Sequence, residues 1–432
     1  MTPAAHWLAA GTAACLMVAS CAGDDTSESV SEASLPSLSD QSAALFDHTV
    51  VHAVEMEISQ QDLDRLELLT DDRVPADLNV DGTTVRRVGV RLKQGVSQFQ
   101  GLDGKPGFSI ETDEFVDGQD LFDVERFTLG NALWDHSFVD EHLVYELYGA
   151  ADIPAARTAL ARVTLNGDAL GLYVMRETID ERWIEQYFED PSGTLYEHEG
   201  GPFDTVLEMR TNTRRDDTSD LDAVIGVVAA ASDEEYRDAI EELVDVDELL
   251  TYWAIEAMAA HWDGYVYDIT APGRVPPPAR PAGNSWPNNF YVYHDPQTDK
   301  FVFIPHGADL ALGLGPGPNS TVDPSTPVLL APKERSTIAT RLWEDPMFRD
   351  ELEDRMRWVL DEVWDAPRLT ERADVFAELV RADGLVGTRE SVSMAEFEEA
   401  LAARKDFLLR RGPAVRAELA NATAEGLASE GS

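Results

Sequence analysis

The sequence predicts a two-lobed α+β fold, with antiparallel hairpins in the first half and a mainly helical C-terminal part. Two observations lead to this prediction. β-branched and aromatic runs separated by turn residues fall before about residue 310, and apolar residues at helical spacing dominate after about residue 334. Because strands come first and helices dominate late, the pattern disfavours a doubly wound parallel sheet.

Three hairpins are indicated by turn residues between apolar runs. Asp81-Gly82 separates the first pair of runs, and Asn166-Gly167 separates the second. The third hairpin joins NNFYVYH to FVFIPHG through residues 295–299. These turns predict antiparallel pairing between strands that are neighbours in the chain.

Helices are expected between and after these hairpins. Apolar spacing predicts them over residues 138–148, 179–188 and 244–261, and the chain from about residue 334 to 420 has a helical pattern throughout. Residues 271–287 form a proline-rich loop without periodicity. Loops of that length inside a compact domain are usually functional or mobile.

The amino terminus has the features of an export signal. The apolar run over residues 7–20 is too short for a stable membrane span, and it ends in VAS before Cys21. This end resembles a bacterial lipobox, in which Cys21 would be lipidated, although no Lys or Arg precedes the run. An ordinary cleaved signal peptide is the alternative. Either way we expect export. With the lipid, we expect the protein to be anchored to a membrane, in the periplasm or at the cell surface.

The rest of the chain divides by composition. After the signal over residues 1–21, residues 22–44 are rich in Ser, Asp and Glu, which predicts a disordered linker. Residues 45–420 are then expected to form the folded domain. Residues 421–432 are expected to be a flexible tail.

Charge restricts the partners of this chain. Its 432 residues include 81 Asp and Glu but only 34 Lys and Arg, which gives a net charge of −47. Such a surface repels phosphate backbones and anionic lipids, so nucleic acid is not expected as a partner, nor a membrane except through the N-terminal lipid. With 44% hydrophobic residues, the chain is not wholly disordered. No cysteine follows Cys21, which excludes a cysteine metal site in the body.

Several common catalytic motifs are absent, including G-x-x-x-x-G-K-[ST], G-x-S-x-G and H-E-x-x-H. Phosphate chemistry without the first of these needs a cation for the phosphates, an acid that holds the cation, a catalytic base, and Asp or Asn ligands for magnesium. Candidates for these roles follow one another in the order in which a protein kinase places them: Lys105, Glu141, Asp263, Asn289 and Asp309.

Two of these candidates have rivals. Lys93, in RLKQG, is as well placed as Lys105 to face phosphates, and Asn288 competes with Asn289. Gly95 and Ser97 are candidates for a flap whose backbone N–H groups contact phosphate, with a plain loop as the alternative. His261 and His306 are interpreted as packing residues.

The body resembles the spore-coat protein H (CotH) family of atypical kinases. The resemblance covers roughly residues 50–315 and includes KPGFSIETDEFVDGQDLFDVERFTLGNALWDHSFVDEHLVYEL, HWDGY and NNFYVYHDPQTDKFVFIPHGADLALG. It implies a kinase-like fold that binds ATP with Mg²⁺ or Mn²⁺ and phosphorylates Ser or Thr of exported proteins. It also implies a phosphate-contacting lysine, its helix partner, a catalytic acid and two metal ligands, which here are Lys105, Glu141, Asp263, Asn289 and Asp309.

One departure leaves two functions open. Many family members have Trp-Asp-x-Asp at the metal-binding turn, whereas this chain has His306-Gly307-Ala308-Asp309 and therefore one acid in place of two. The first function is an ATP-dependent Ser/Thr kinase acting on exported or surface proteins. The alternative is a scaffold without activity, acting in adhesion or in envelope or coat assembly.

Overall fold

The structure, a computed structural model, describes most of the chain after the predicted linker. Cys21, Gly95, Ser97 and almost all of the proline-rich loop lie outside the described residues. The described ranges are 40–68, 72–94, 99–198, 204, 206–215, 217–269, 286–316 and 320–430.

Seven strands of the first half close into a barrel in the order β1-β2-β3-β4-β5-β7-β6. Neighbouring strands are antiparallel except for β6 and β1, which pair in parallel and complete the barrel. The strands are β1 Val51–Ile58, β2 Val74–Val80, β3 Thr83–Leu92, β4 Phe108–Glu111, β5 Arg126–Gly130, β6 Thr158–Leu165 and β7 Asp168–Glu177.

The sequence explains the individual barrel strands. In β1, alternate residues are buried, as expected for a strand with one face toward the barrel core. The turns at Asp81-Gly82 and Asn166-Gly167 have positive φ at both residues, which suits the two-residue hairpin turns predicted for them. The hairpins β2–β3 and β6–β7 are therefore confirmed.

A second sheet has the strand order β11-β10-β8-β9. Its strands are β8 Thr194–Glu197, β9 Glu208–Met209, β10 Phe290–Asp295 and β11 Lys300–Pro305. The predicted third hairpin is present as β10–β11, with Phe290 opposite Pro305. This register places the residue before β10 beside the residue after β11, which matters for the site below.

Helices surround the sheets and make up most of the chain after residue 336. A large apolar core joins α3, α7 and the late helices to the second sheet, and a separate apolar core fills the barrel. The helices are α1 Asp40–Leu45, α2 Gln60–Leu66, α3 Asp140–Gly149, α4 Glu181–Tyr187, α5 Ser219–Ala230, α6 Asp233–Glu241, α7 Val246–Ala259, α8 Thr337–Glu344, α9 Pro346–Trp358, a π-helical turn Val359–Val363, α10 Ala366–Asp383 and α11 Met394–Glu430.

The predicted architecture, a two-lobed kinase-like fold with separate hairpins, is wrong. The hairpins are parts of a closed seven-stranded barrel. Turn residues report pairing between neighbouring strands, but the closing pair places Val51 opposite Leu160, and such a parallel pair has no local turn signal. At the other end of the chain, α11 continues past the predicted boundary at residue 420 to Glu430. Of the helices in the described ranges, none is long and apolar enough to cross a membrane.

Candidate functional site

A cleft is lined by barrel strands and by the second sheet. Its main part, of about 440 Å³, is bordered by residues of β3, β4, β5 and β7 and by residues of β8 and β10. A small extension of about 20 Å³ reaches Glu141 and Asp309, and it shares Lys93, Thr128 and Arg176 with the main part. We call both parts together the barrel cleft. Its main volume is typical of a small-molecule site.

Basic side chains are concentrated in the barrel cleft. In a chain where acids outnumber bases by 81 to 34, the main part is lined by five acidic residues and six basic ones, Arg73, Arg91, Lys93, Arg126, Arg176 and Arg210. Burial lowers the pKa of Arg73, and the nearby positive charges of Arg91 and Arg126 also lower it, against the effect of Glu111. Like charges held this close together favour an anion in the cleft.

Lys93 stands where the two parts of the cleft meet. It directly follows β3, and its backbone N–H donates to the Gly107 carbonyl at 2.9 Å. Burial lowers the pKa of its ammonium to about 8, and Arg176 lowers it as well, whereas Glu141 and Asp309 act in the opposite direction. The described carboxylates form no ion pair with Lys93. It is therefore a mostly charged cation at neutral pH, suited to an incoming anion.

Glu141 and Arg176 form a buried ion pair at the inner end of the cleft. Glu141 lies in the first turn of α3 and Arg176 lies on β7, so the pair joins the helix to the barrel. Tyr145 donates its hydroxyl to Glu141 at 3.2 Å. Burial alone would lower the pKa of Arg176, but Glu141 raises it, and the guanidinium stays charged beside Lys93.

Asp263 and Asn289 are held together between the end of α7 and the start of β10. The Asn289 side-chain Nδ2 donates to the Asp263 backbone carbonyl and to its Oδ2, each at 3.0 Å. Asn289 has a left-handed φ of 52°, which asparagine tolerates better than most residues. Of the two asparagines that the sequence left open, Asn289 is the one whose side chain contacts Asp263.

The turn after β11 packs against Asn289. The His306 backbone N–H donates to the Asn289 carbonyl at 3.2 Å. Gly307 has φ +54°, and a Cβ at this position would lie 2.6 Å from Asn289 Oδ1, so the turn requires glycine. His306 lines the cleft, with its ring edge-on to Tyr291 at a centroid distance of 5.0 Å.

Asp309 completes an acidic group at the inner end of the cleft. Burial and the negative charges of Glu141 and Asp263 together raise the pKa of its carboxyl to about 8, against the effect of Arg176. The three acids are therefore close enough to repel one another. The four predicted residues Glu141, Asp263, Asn289 and Asp309 come together in one region.

Lys105 does not join them. Its ammonium binds both carboxylate oxygens of Glu390, at 2.8 and 3.0 Å, and its side chain is only 1% exposed. The expected ion pair between Lys105 and Glu141 is thus replaced by two separate pairs, Lys105–Glu390 and Arg176–Glu141. Sequence spacing could not show this, because Glu390 lies 285 positions after Lys105.

The sequence interpretation also missed Arg176. A signal for it exists: Arg176 and Glu177 directly follow the apolar residues LYVM in one strand, and all six residues of LYVMRE are buried. A charge in such a strand needs a buried partner. That partner is Glu141, and the pair brings an arginine next to the lysine that faces the cleft.

A metal ion would find an incomplete set of ligands here. Within the described ranges, no three His, Cys, Asp or Glu side chains lie close enough together to hold a metal ion by themselves. The metal ligands of the predicted site are the Asp309 carboxylate and the side-chain amide oxygen of Asn289. Oxygen donors of this kind, completed by phosphate oxygens, match magnesium, which usually keeps few protein ligands.

The fold and this site define a barrel protein whose cleft is basic in its main part and acidic at its inner end, a lining suited to an anion. Comparison with known families gives the family: the one described as "CotH kinase protein" matches residues 100–414. The chain belongs to this family. The match includes Glu141, Asp263, Asn289 and Asp309, whereas Lys93 lies before it.

A curated relative is similar over a shorter stretch. "Invasin CotH2" from Rhizopus delemar is 23% identical over 180 residues, which cover 37% of this chain. The aligned part spans 30% of that relative's own length. The similarity therefore supports membership of the family. It does not transfer the activity of the whole relative to this chain.

Replacing Lys105 by methionine tests its position in the structure. Lys105→Met leaves the Glu390 carboxylate buried without its cation, which costs about 3–5 kcal/mol when a buried pair is broken from one side. We expect this loss in urea unfolding. The matched change Lys93→Met removes an ammonium that no described carboxylate pairs with, and it should cost far less. Equal stabilities of the two variants would contradict this placement of Lys105.

The acidic group at Asp309 predicts a pH effect on stability. Between its ordinary pKa of 3.8 and its raised pKa of about 8, the folded chain keeps a proton that the unfolded chain has lost, so rising pH destabilises the wild type. Asp309→Asn lacks this group. Relative to the wild type, it should gain about 1–3 kcal/mol between about pH 5 and about pH 8. Urea unfolding at both values, without divalent metal, checks this, and an unchanged difference would refute it.

Proposed function

We propose that this protein is a phosphotransferase that moves a phosphoryl group from ATP to Ser or Thr hydroxyls of exported proteins. One observation carries the proposal: the inner end of the cleft is lined by two cations, Lys93 and Arg176, and by the Asp309 carboxylate, and Asp263 lies close enough to raise the pKa of Asp309. Phosphoryl transfer depends mainly on positioning and on stabilising charge, and it needs cations and acids side by side. The printed description of the family, a kinase protein, agrees with this function.

In this proposal the two cations bind phosphates. Lys93 takes the role that the sequence assigned to Lys105, because Lys93 faces the cleft and Lys105 is occupied by Glu390. Arg176 adds a planar guanidinium, which can bind phosphate oxygens in pairs. Glu141 holds Arg176 in place and so has the role of the acid that positions a phosphate-binding cation.

The residues also fit a divalent cation. Burial, together with repulsion by Glu141 and Asp263, raises the pKa of Asp309 to about 8, so its carboxyl is mostly protonated near neutral pH. A metal ion between Asp309 and Asn289 would relieve this repulsion. Bound Mg²⁺ or Mn²⁺ would supply charge neutralisation for the phosphates. The protein's own part would be to supply the Asp309 carboxylate and the side-chain oxygen of Asn289 as ligands.

Asp263 is the proposed base. Its carboxylate is fixed by the Asn289 side chain, which donates to Asp263 Oδ2 at 3.0 Å. A carboxylate held in this way orients the attacking hydroxyl and accepts its proton. We expect Asp263→Asn to keep ATP binding and to lose phosphotransfer by roughly 100-fold or more.

Binding of ATP is tested apart from catalysis. Saturating ATP with Mg²⁺ should stabilise the wild type against unfolding by about 1–3 kcal/mol, because a ligand bound only by the folded state shifts the equilibrium toward it. Lys93→Met should weaken ATP binding roughly tenfold or more, since it removes a charged contact to phosphate. Titration calorimetry of the wild type and Lys93→Met measures both affinities.

Arg86→Met is the matched control for Lys93→Met, because Arg86 is a largely exposed barrel cation outside the cleft. It should bind ATP like the wild type. Equal losses in Lys93→Met and Arg86→Met would contradict the role of the cleft. Radiolabelled ATP and a serine-rich acceptor protein then test transfer, with Asp263→Asn as the inactive comparison.

A scaffold without activity is the second candidate. The turn His306-Gly307-Ala308-Asp309 offers one acid in place of two, and the relative from Rhizopus delemar is named an invasin. ATP is also scarce outside the cytoplasm. If millimolar ATP with metal neither stabilises the chain nor labels an acceptor, the scaffold function is favoured.

Export through a lipid anchor is part of the proposal. The lipobox-like end before Cys21 supports it. In a bacterial host fed an alkyne-tagged fatty acid, the wild-type chain should become labelled and Cys21→Ser should not. Export of an unlabelled, shortened wild-type chain would instead favour an ordinary signal peptide.

A further inference from the structure

A buried carboxylate lies beside the Asp263 loop and outside the barrel cleft. Glu256, on α7, is fully buried. Its two oxygens accept three consecutive backbone N–H groups, from Tyr265 at 2.9 Å, Val266 at 2.7 Å and Tyr267 at 2.6 Å. A carboxylate that accepts three amides in a row fixes the path of the chain directly after Asp263.

Lys333 contacts the same loop from the segment before α8. It is 5% exposed, and its ammonium donates to the Gly264 carbonyl. Its backbone N–H donates to the Val266 carbonyl at 3.0 Å, and the Ser336 hydroxyl donates to the Tyr265 carbonyl at 2.6 Å. The N–H groups of this loop are thus bound by Glu256 and its carbonyls by the Lys333 segment. We call Glu256 and Lys333 the loop clamp.

The two charges of the loop clamp support each other. Burial raises the pKa of Glu256, while the charge of Lys333 and the three backbone donors lower it. Contact with the loop is close: a Cβ added at Gly264 would lie 2.7 Å from the Glu256 carboxyl carbon. Glycine at this position therefore lets the loop lie directly against the carboxylate.

The loop clamp ends one residue away from Asp263. On the other side, Asn289 binds the Asp263 carbonyl and Oδ2, and the Asn288 N–H donates to the Gly264 carbonyl at 3.1 Å. The position of Asp263 is therefore set jointly by Asn289 and by the loop clamp. Displacement of a reacting group by about 1 Å is enough to cost roughly 100-fold in rate.

We propose that Glu256 and Lys333 are positioning residues that set the place of the Asp263 carboxylate next to Asn289. Neither lines the cleft, so they act through the loop and do not contact the nucleotide. The inference rests on the proposed function, because that function gives Asp263 its role as base. It adds two residues, on α7 and before α8, that the phosphate-binding residues do not include.

The test compares two identical changes on one helix. Glu256→Gln keeps the shape of the side chain but places an NH₂ group against a backbone N–H, so one of the three amides loses its acceptor. Glu248→Gln is the control, since Glu248 lies on α7 and accepts the Phe303 N–H at 3.0 Å, away from the Asp263 loop. We expect kcat of Glu256→Gln to fall roughly 10- to 100-fold, with KM for ATP within about twofold of the wild type.

A rescue series tests Lys333. Lys333→Met removes the ammonium, and we expect a loss of kcat similar to that of Glu256→Gln. Lys333→Arg keeps the charge and a donor for the Gly264 carbonyl, and it should recover most of the rate. If Glu256→Gln does not fold, this pair decides the proposal alone: equal kcat in Lys333→Met and Lys333→Arg overturns it.

A second readout does not depend on activity. Hydrogen exchange should be faster at the amides of residues 265–267 in Glu256→Gln than in Glu248→Gln. Unchanged kcat in Glu256→Gln overturns the positioning role. So does a fall in kcat that is fully explained by a smaller fraction of folded protein. If the wild type itself transfers no phosphate, the proposed function fails. The hydrogen-exchange rates still decide whether the loop depends on Glu256, because equal rates in Glu256→Gln and Glu248→Gln overturn the loop clamp.

Discussion

The buried ion pair between Glu141 and Arg176 is the interaction on which the arrangement of the site depends. It joins the first turn of α3 to β7 of the barrel, so it fixes the helical part of the chain against the strand that lines the cleft. Two buried charges gain little stability over an apolar pair, but removing one of them is costly. The pair therefore acts more as a constraint than as a source of stability. Because Arg176 also lowers the pKa of Lys93 and opposes the protonation of Asp309, a change at this pair would shift the charge of both neighbours.

The charge of the cleft is a local exception in a very acidic protein. A net charge of −47 repels anions from most of the surface. In the main part of the cleft, six basic residues stand against five acids, and most of those arginines are paired, for example Arg73 with Glu111 at 2.7 Å. Lys93 has no such partner among the described carboxylates. An anion that enters therefore meets a cation that is already desolvated and not neutralised, which favours selective binding over general attraction.

The sequence predicted local features well and distant contacts poorly. Asn289 and His306 flank a hairpin whose turn residues are visible in the sequence, and the pairing of Phe290 with Pro305 then brings Asp309 to Asn289. No turn residues in the sequence indicate that the barrel closes, because β1 and β6 pair in parallel and their paired residues lie more than a hundred positions apart in the chain. Lys105 shows the same limit. Its place in the kinase-like order of residues made it a good candidate, but its partner, Glu390, comes much later in the chain.

The single acid at the turn has a consequence for how the proposed ligands would bind. With Asp309 mostly protonated at neutral pH and Asn289 uncharged, the protein alone offers a divalent cation little negative charge. Phosphate oxygens would supply the rest, so the cation and the nucleotide should each raise the affinity of the other by the same factor. In a family member with two acids at this turn, the metal would depend less on the nucleotide. The loss of the first acid therefore does not by itself distinguish a kinase from a scaffold. In the proposed kinase, it would change the order in which metal and nucleotide bind, and occupancy of the metal site would then depend on the local concentration of ATP.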